Sequence, residues 1–95
     1  MITALCKMNL FLPYSQSLKD KRQILKSLKE KTTHRFKIPV VETDYQDLWQ
    51  RAQLGFAVVG SDRSFVESLA DQMVRFIKEH DLAQIHDVIK DVFEF

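Results

Sequence analysis

The sequence predicts an α+β domain whose elements follow the order β-α-β-β-α-β. Four stretches have the period-two alternation or the β-branched content of strands, and two stretches repeat apolar residues at three- and four-residue spacing, as amphipathic helices do. The chain has 95 residues, of which 45% are hydrophobic and 28% charged, which is the composition of a folded globular protein. This length supplies one hydrophobic core, so we expect a single domain over residues 1–95.

The first strand and the first helix have clear signals. Residues 2–12 alternate apolar even positions with a more mixed odd set, which predicts a strand with one buried face. Ser17 and Asp20 form a relaxed capping box at the start of a helix that extends to Lys37. Apolar residues recur along this helix at Leu18, Ile24, Leu25 and Leu28. Lys21 falls on the same stripe, so we expect its stem to lie along the edge of the core and its ammonium to reach beyond the helix start.

Two further strands and a second helix follow. Residues 37–43 predict a short strand, and Pro39 cannot donate a ladder hydrogen bond, so this strand belongs at a sheet edge. Residues 51–60 alternate cleanly and predict a central strand. Asp62 or a neighbouring serine caps a second helix that ends near His80. The broad apolar face of this helix is predicted from Phe65, Val66, Leu69, Ala70, Met73, Phe76 and Ile77.

The last stretch of the chain is predicted to be the fourth strand. Residues 82–95 alternate less regularly, as a bulged or partly covered strand does. The whole order fits the ferredoxin-like, split βαβ arrangement, an antiparallel four-stranded sheet of strand order 4-1-3-2 with both helices on one face. In this arrangement the start of the first helix lies at the same end of the sheet as the turn between strands two and three. We therefore expect Tyr14, Lys21 and Arg22 to lie near residues 44–51.

The charges are distributed unevenly although the net charge is only +1. Residues 17–37 hold eight of the 14 Lys and Arg and two of the 13 Asp and Glu, so this segment carries +6 and the remainder −5. Four of these cations fall on one side of the predicted helix, and we name them the basic ridge: Lys19, Arg22, Lys26 and Lys29. The ridge either binds a polyanion or is an ordinary solvated helix face.

Several functional classes lack their signals. The apolar N-terminal run is interrupted by Lys7 and Asn9 and has no basic leader, so we expect no signal peptide, no membrane span and a cytoplasmic protein. Cys6, the single cysteine, lies in the apolar register of its strand and is expected in the core. The histidines lack metal-ligand spacing, and the chain has neither a glycine-rich phosphate loop nor a dinucleotide fingerprint. We therefore expect no metal, no cofactor and no enzymatic activity.

The turn between strands two and three adds aromatic residues beside the basic ridge, and rings of this kind can stack on nucleic-acid bases. The predicted RNA-binding residues are Lys19, Lys21, Arg22, Lys26, Lys29, Trp49 and Arg51. The residues predicted to line this site are Tyr14, Asp44, Tyr45, Gln46 and Asp47. Two simpler interpretations stay open: Trp49 caps the core, and Asp44 and Asp47 are salt-bridge partners of Lys21, Arg22 and Arg51.

A second RNA-related signal is weaker. Residues 55–59 bear a faint likeness to the signature of the RNA-recognition motif. Val58 and Ser61 stand where stacking rings are required, and Leu54 stands where a basic residue is required. We therefore expect Leu54, Phe56 and Val58 to pack against the helices.

Two stretches of the sequence resemble a known family. SLKDKR at 17–22 with LKSL at 25–28, and DYQDLWQRA at 44–52 followed by LG at 54–55, are similar to the YlxP-like family of small bacterial proteins of unknown function. The resemblance implies a ferredoxin-like fold. In many bacteria the family's gene lies among genes for transcription elongation, translation initiation and ribosome maturation, which implies work on RNA or the ribosome. The family has no established catalytic residues, so none are transferred.

Three functional hypotheses follow, and the leading one is a non-enzymatic RNA- or ribosome-associated binding module. The second is a homodimer formed through the open sheet face, which carries Leu5, Phe11, Ala57 and Val59. The third is an enzyme acting on a phosphorylated small molecule at Lys21, Arg22 and Arg51, with Asp44 or Asp47 as the base.

Overall fold

The computed structural model describes residues 1–95 and contains four strands and two helices in the predicted order. The elements are β1 (Ile2–Phe11), α1 (Leu18–Phe36), β2 (Val41–Asp44), β3 (Arg51–Gly60), α2 (Arg63–Lys78) and β4 (Gln84–Glu94). All strand pairs are antiparallel and the sheet order is β2-β3-β1-β4. This order confirms the predicted ferredoxin-like arrangement. The two long central strands, β1 and β3, pair without interruption from Ile2 opposite Gly60 to Phe11 opposite Arg51.

Helix α1 begins and ends where its caps predict. The Ser17 side chain accepts a hydrogen bond from the Asp20 backbone N–H at 3.0 Å, and the Asp20 carboxylate accepts one from the Gln16 N–H at 2.9 Å. Lys37 closes the helix in the left-handed region, with φ 60°, and donates its N–H to the Thr33 carbonyl at 2.7 Å. The capping prediction is confirmed, with the reciprocal bond made to Gln16 instead of Ser17.

Helix α2 packs through a narrower stripe than predicted. Asp62 is its N-cap and accepts a hydrogen bond from the Phe65 N–H at 2.9 Å, and the helix ends at Lys78, two residues before the predicted His80. Its buried residues are Val66, Ala70, Met73 and Ile77. Phe65 was expected on this face but is 59% exposed, because it lies about 100° around the helix from the buried Val66.

The core lies between the helices and one face of the sheet. The even-numbered residues of β1 are buried, as the alternation predicts, and so are those of β3 except the half-buried Gly60. Leu12 continues the β1 series, so the buried set is Ile2, Ala4, Cys6, Met8, Leu10, Leu12, Ala52, Leu54, Phe56 and Val58. Leu54, Phe56 and Val58 therefore belong to the core, which confirms that β3 does not present its side chains in the manner of an RNA-recognition motif.

The edge strands depart from the predicted bounds. Strand β2 pairs only from Val41, so Pro39 lies in the connection before it, where it disturbs no ladder hydrogen bond. The register shifts between Glu42 and Asp44 in β2. On the other side of the sheet, the β1–β4 register shifts between Asn9 and Leu10, which confirms the bulge predicted from the irregular alternation.

Candidate nucleic-acid interface

Lys21, in the first turn of α1, is 2% exposed. Its Nζ donates hydrogen bonds to the backbone oxygens of Tyr45 at 2.6 Å and Leu48 at 2.7 Å. The same nitrogen lies 2.9 Å from Oε2 of Glu42, a buried oxygen for which this contact is ionic and not a well-aligned hydrogen bond. We call this set of contacts the Lys21 latch. It joins the first turn of α1 to β2 and to the turn that follows β2.

The latch confirms that Lys21 reaches past the helix start, and it corrects the expected partners. Asp44 and Asp47 form no salt bridge, and the Asp44 carboxylate instead accepts a hydrogen bond from the Tyr45 N–H at 2.7 Å. Lys21 was also expected to contact RNA. Its burial and its three oxygen partners remove it from the surface, so it is a structural residue that holds the turn. Glu42 was missed, although its alternation with Val41 and Thr43 turns it toward the helix layer.

A second set of hydrogen bonds joins the loop after β1 to the same turn. The Leu12 N–H donates to the Gln50 carbonyl at 2.8 Å, and the Gln50 side-chain amide donates to the Ser15 carbonyl at 3.1 Å. Tyr14 therefore lies on a loop that is tied to the residues before β3. The predicted proximity of this loop, the start of α1 and the turn is confirmed.

The basic ridge lies along the solvent side of α1. Lys19, Arg22 and Lys26 are exposed and Lys29 is half-buried. The salt bridges of the molecule are Lys21–Glu42, Arg63–Glu67 and Lys90–Asp71, so none of the four ridge cations is neutralised by a carboxylate of the chain. These cations are therefore available to an external anion.

Part of the ridge borders a groove of about 600 Å³ between α1 and the β2 region. Arg22, Lys26 and Lys29 line it on the helix side. Its acidic and polar lining consists of Glu30, Glu42, Gln46 and Asp47. Because Glu42 is engaged by Lys21, the unpaired charges facing the groove are three cations and the two carboxylates of Glu30 and Asp47. The groove has a cationic wall and a mixed polar floor.

The aromatic residues of the turn stand at the same end of the sheet. Tyr14 is 66% exposed and Trp49 is 46% exposed, so Trp49 is not a core cap. Tyr45 occupies the left-handed region with φ 64°, and the Arg51 guanidinium lies 5.1 Å from its ring centroid. The Tyr45 backbone is held by the Lys21 latch, so the turn that carries these rings has a defined position.

Sequence reasoning missed a second cationic cluster at the C-terminal ends of the two helices. The Arg35 guanidinium lies 5.4 Å from the Phe36 ring centroid and 5.6 Å from that of Phe76. Together with Arg75 it borders a shallow groove of about 290 Å³. The signal was present in the basic last turn of each helix, but only the packing of α1 against α2 brings these residues together.

Three other kinds of feature would bear on function: a reactive cysteine, a metal site and a membrane-spanning helix. Cys6 is buried as predicted, and this burial raises the pKa of its thiol from 9.0 to about 11, so the nucleophilic thiolate is disfavoured. No group of three or more His, Cys, Asp or Glu side chains is arranged to hold a metal ion. Neither helix is long and apolar enough to cross a membrane. The enzyme hypothesis stays a prediction, with Lys21 no longer available to a substrate.

Comparisons with known proteins address the resemblance. Residues 3–89 match the model of a family described as "Protein of unknown function (DUF503)". The chain belongs to the DUF503 family. It is 38% identical over 61 residues to the uncharacterized protein YlxP of Bacillus subtilis (strain 168), a match that covers 64% of this chain and 66% of that relative. The predicted YlxP-like resemblance is therefore confirmed.

A solved structure described as "Structural Genomics, protein YJCS" has the same fold as this DUF503 member. The two superpose with a TM-score of 0.57 over 94% of this chain and 96% of the other, at 10% sequence identity. At this identity the likeness concerns the fold alone, and it agrees with the α+β arrangement described above.

Proposed function

We propose that this DUF503 protein is a non-enzymatic, cytoplasmic RNA- or ribosome-associated binding module that contacts phosphates through the basic ridge. The observation that carries the proposal is the absence of carboxylate partners around four cations spaced along one helix face. Lys19 and Lys29 are ten residues apart, so the ridge is about 15 Å long. Phosphates are about 3.4 Å apart along a stacked strand and farther apart along an unstacked one, so a ridge of this length spans at most about four or five phosphates.

The groove beside the ridge supports a path for the bases. Glu30 and Asp47 repel phosphates, but a carboxylate accepts hydrogen bonds from the exocyclic amino group of a base. The rings of Tyr14 and Trp49 are exposed at the same end of the sheet and provide stacking surfaces. An RNA strand therefore lies with its phosphates over the ridge and its bases toward the turn. Because these bases must be unstacked, the proposed ligand is single-stranded RNA.

Salt dependence tests the ridge. If Lys19, Arg22, Lys26 and Lys29 each neutralise one phosphate, the log-log slope of affinity against salt is about −3, and affinity for a single strand of about 12 nucleotides falls about 60-fold between about 50 and 200 mM salt. The double variant Lys26→Glu/Lys29→Glu brings the slope to about −1.5 or shallower. Fluorescence anisotropy with end-labelled RNA measures both quantities.

The control variant is Arg63→Glu/Lys78→Glu, which changes the net charge equally but lies on α2, away from the ridge. Equal loss of affinity in the two double variants would mean that net charge alone attracts RNA. In that case the proposed use of the ridge is wrong. Thermal melts by circular dichroism confirm that each variant is folded before binding is compared.

Trp49 provides an independent readout because it is the only tryptophan in the chain. Stacking on a base quenches or shifts its fluorescence, and replacing it by alanine lowers affinity by about 1–3 kcal/mol. Titration with a single strand changes the Trp49 emission, and titration with the matching duplex does not. An unchanged emission with saturating single-stranded RNA would remove Trp49 from the proposed site.

A further inference from the structure

The sheet face opposite the helices is uncovered and carries exposed aliphatic side chains on all four strands. By strand alternation this face presents the odd-numbered residues of β1, β3 and the middle of β4. Each strand contributes an exposed aliphatic residue to it: Val41 of β2, Val59 of β3, Leu5 of β1 and Ile89 of β4. Phe11 and Phe93 are half-buried on the same face. The solvent-facing side of an antiparallel sheet typically carries polar residues. The aliphatic residues on this face therefore indicate that a binding partner covers it.

Three uncharged polar residues of this face are hydrogen-bonded to one another. The Thr43 hydroxyl donates to the Gln53 side-chain oxygen at 2.7 Å, and the Gln53 amide donates to the Asn9 side-chain oxygen at 2.8 Å. This ladder crosses three strands, β2, β3 and β1. Because these groups have partners within the face, covering them costs less than covering polar groups that depend on water.

The open sheet face carries both a positive charge and negative charges, on neighbouring strands. Lys7 lies on β1 opposite Ile89, and Asp87 and Asp91 flank Ile89 on β4. None of these three charged residues forms a salt bridge within the molecule. A two-fold axis that passes midway between Lys7 and one of these aspartates places Lys7 of each copy against the aspartate of the other, so the face can pair its own charges in a dimer.

The size of the face also favours another sheet as its occupant. The four strands have 10, 4, 10 and 11 residues. At about 3.3 Å per residue and about 4.8 Å per strand, their projected area is about 550 Å², and the standing side chains add accessible surface to it. A stable interface buries about 800 Å² on each partner, and the aliphatic residues alone do not supply this area. A partner therefore has to cover the whole face, as a second flat sheet can.

We propose that the chain forms a two-fold homodimer in which the open sheet faces of two copies pack together, with Lys7 of each copy paired with Asp87 or Asp91 of the other. Pairing along the outer edge of β4 is disfavoured by these same charges, which lie on the edge strand itself. In the face-to-face dimer the helices of both copies lie outside, so both basic ridges stay exposed. The proposal therefore goes beyond RNA binding and does not depend on it.

The first experiment measures the oligomeric state by sedimentation equilibrium from micromolar to submillimolar protein. The wild type is a dimer, and Val59→Asp shifts it to monomer because the new carboxylate would be buried between the sheets. The matched control is Phe65→Asp, since Phe65 is 59% exposed and Val59 56% exposed, but Phe65 lies on α2. A wild type that is monomeric throughout the range, or a dimer that Val59→Asp leaves intact, would overturn the proposal.

The second experiment identifies a second copy as the occupant. Lys7→Glu and the double variant Asp87→Lys/Asp91→Lys each dimerise at least tenfold more weakly than wild type, because each places like charges across the interface. Mixing the two variants restores the opposite charges and therefore restores dimers. A mixture that associates no more tightly than either variant alone would show that the lysine and the aspartates do not meet. Circular dichroism melts verify that every variant is folded.

Discussion

Replacing Lys21 by methionine tests the latch most directly. Methionine keeps an unbranched apolar stem in the buried position but removes the ammonium that contacts Tyr45, Leu48 and Glu42. The change removes the Lys21 donor from the Leu48 carbonyl oxygen and leaves a largely buried carboxylate without its counter-ion. The Tyr45 carbonyl oxygen loses one of its two donors and keeps the Leu48 N–H at 3.0 Å. Breaking a buried ion pair from one side costs about 3–5 kcal/mol, and the 22% exposure of the Glu42 side chain allows partial rehydration. We expect Lys21→Met to lower the free energy of unfolding by about 3 kcal/mol.

Urea denaturation followed by the fluorescence of Trp49 and by circular dichroism measures this loss. In a domain of this length, about 3 kcal/mol also lowers Tm by about 12–24 °C. Lys26→Met is the matched control, since Lys26 is exposed on the same helix, and its effect stays within about 0.5 kcal/mol. A Lys21→Met protein as stable as the Lys26→Met protein would refute the structural role assigned to the latch.

A double-mutant cycle separates the ion pair from the two backbone contacts. Glu42→Gln alone leaves Lys21 bound to both carbonyl oxygens and costs about 1 kcal/mol. Lys21→Met/Glu42→Gln costs less than the sum of the two single changes, because no charge is stranded in the double variant. Additive single effects would mean that the carbonyl contacts alone account for the stability contributed by Lys21.

Three further predictions concern stability. Ser17→Ala removes the side-chain acceptor at the start of α1 and lowers the free energy of unfolding by about 1 kcal/mol in urea melts, and Ser27→Ala, an exposed control inside the helix, does not. Gly60→Ala is destabilising, because the added Cβ would lie 2.9 Å from Cγ2 of Val66; a Tm equal to that of wild type would contradict this clash. Between pH 9 and 11 the unfolded chain loses the Cys6 proton while the folded protein keeps it, so stability falls as pH rises through this window. Cys6→Ala removes this part of the decline, and parallel pH slopes for the two proteins would be the contrary result.

The fold was predictable because its core follows simple periodicity. Alternation in residues 2–12 and 51–60 sets the buried faces of both central strands, and these faces were assigned correctly. The bounds of β2 were not predicted correctly. Lys37 ends α1 in a left-handed conformation, and the chain needs residues 38–40 to reach the sheet edge. The exposure of Phe65 was missed because apolar content alone does not reveal how wide a stripe the sheet can cover.

The candidate site was predictable only in part. Lys21 was recognised because a lysine on an apolar stripe must either be buried with partners or disrupt the stripe. Its partner Glu42 was not predicted, because the contact between Lys21 and Glu42 depends on the register of a four-residue edge strand and on the register shift between Glu42 and Asp44. Arg35 and Phe76 likewise meet only through the packing of two helices that are distant in sequence.

The latch joins the two stretches that carry the family resemblance. The first stretch contains Lys21, and the second contains Tyr45 and Leu48, whose carbonyl oxygens Lys21 binds. The two stretches therefore form one structural unit, in which Lys21 stabilises the fold instead of binding a ligand. Arg22 in the first stretch and Trp49 in the second make no latch contact, and both are exposed at the end of the sheet that the latch holds together. These two residues, with the lysines that continue the ridge, are where binding and stability can be separated by mutation.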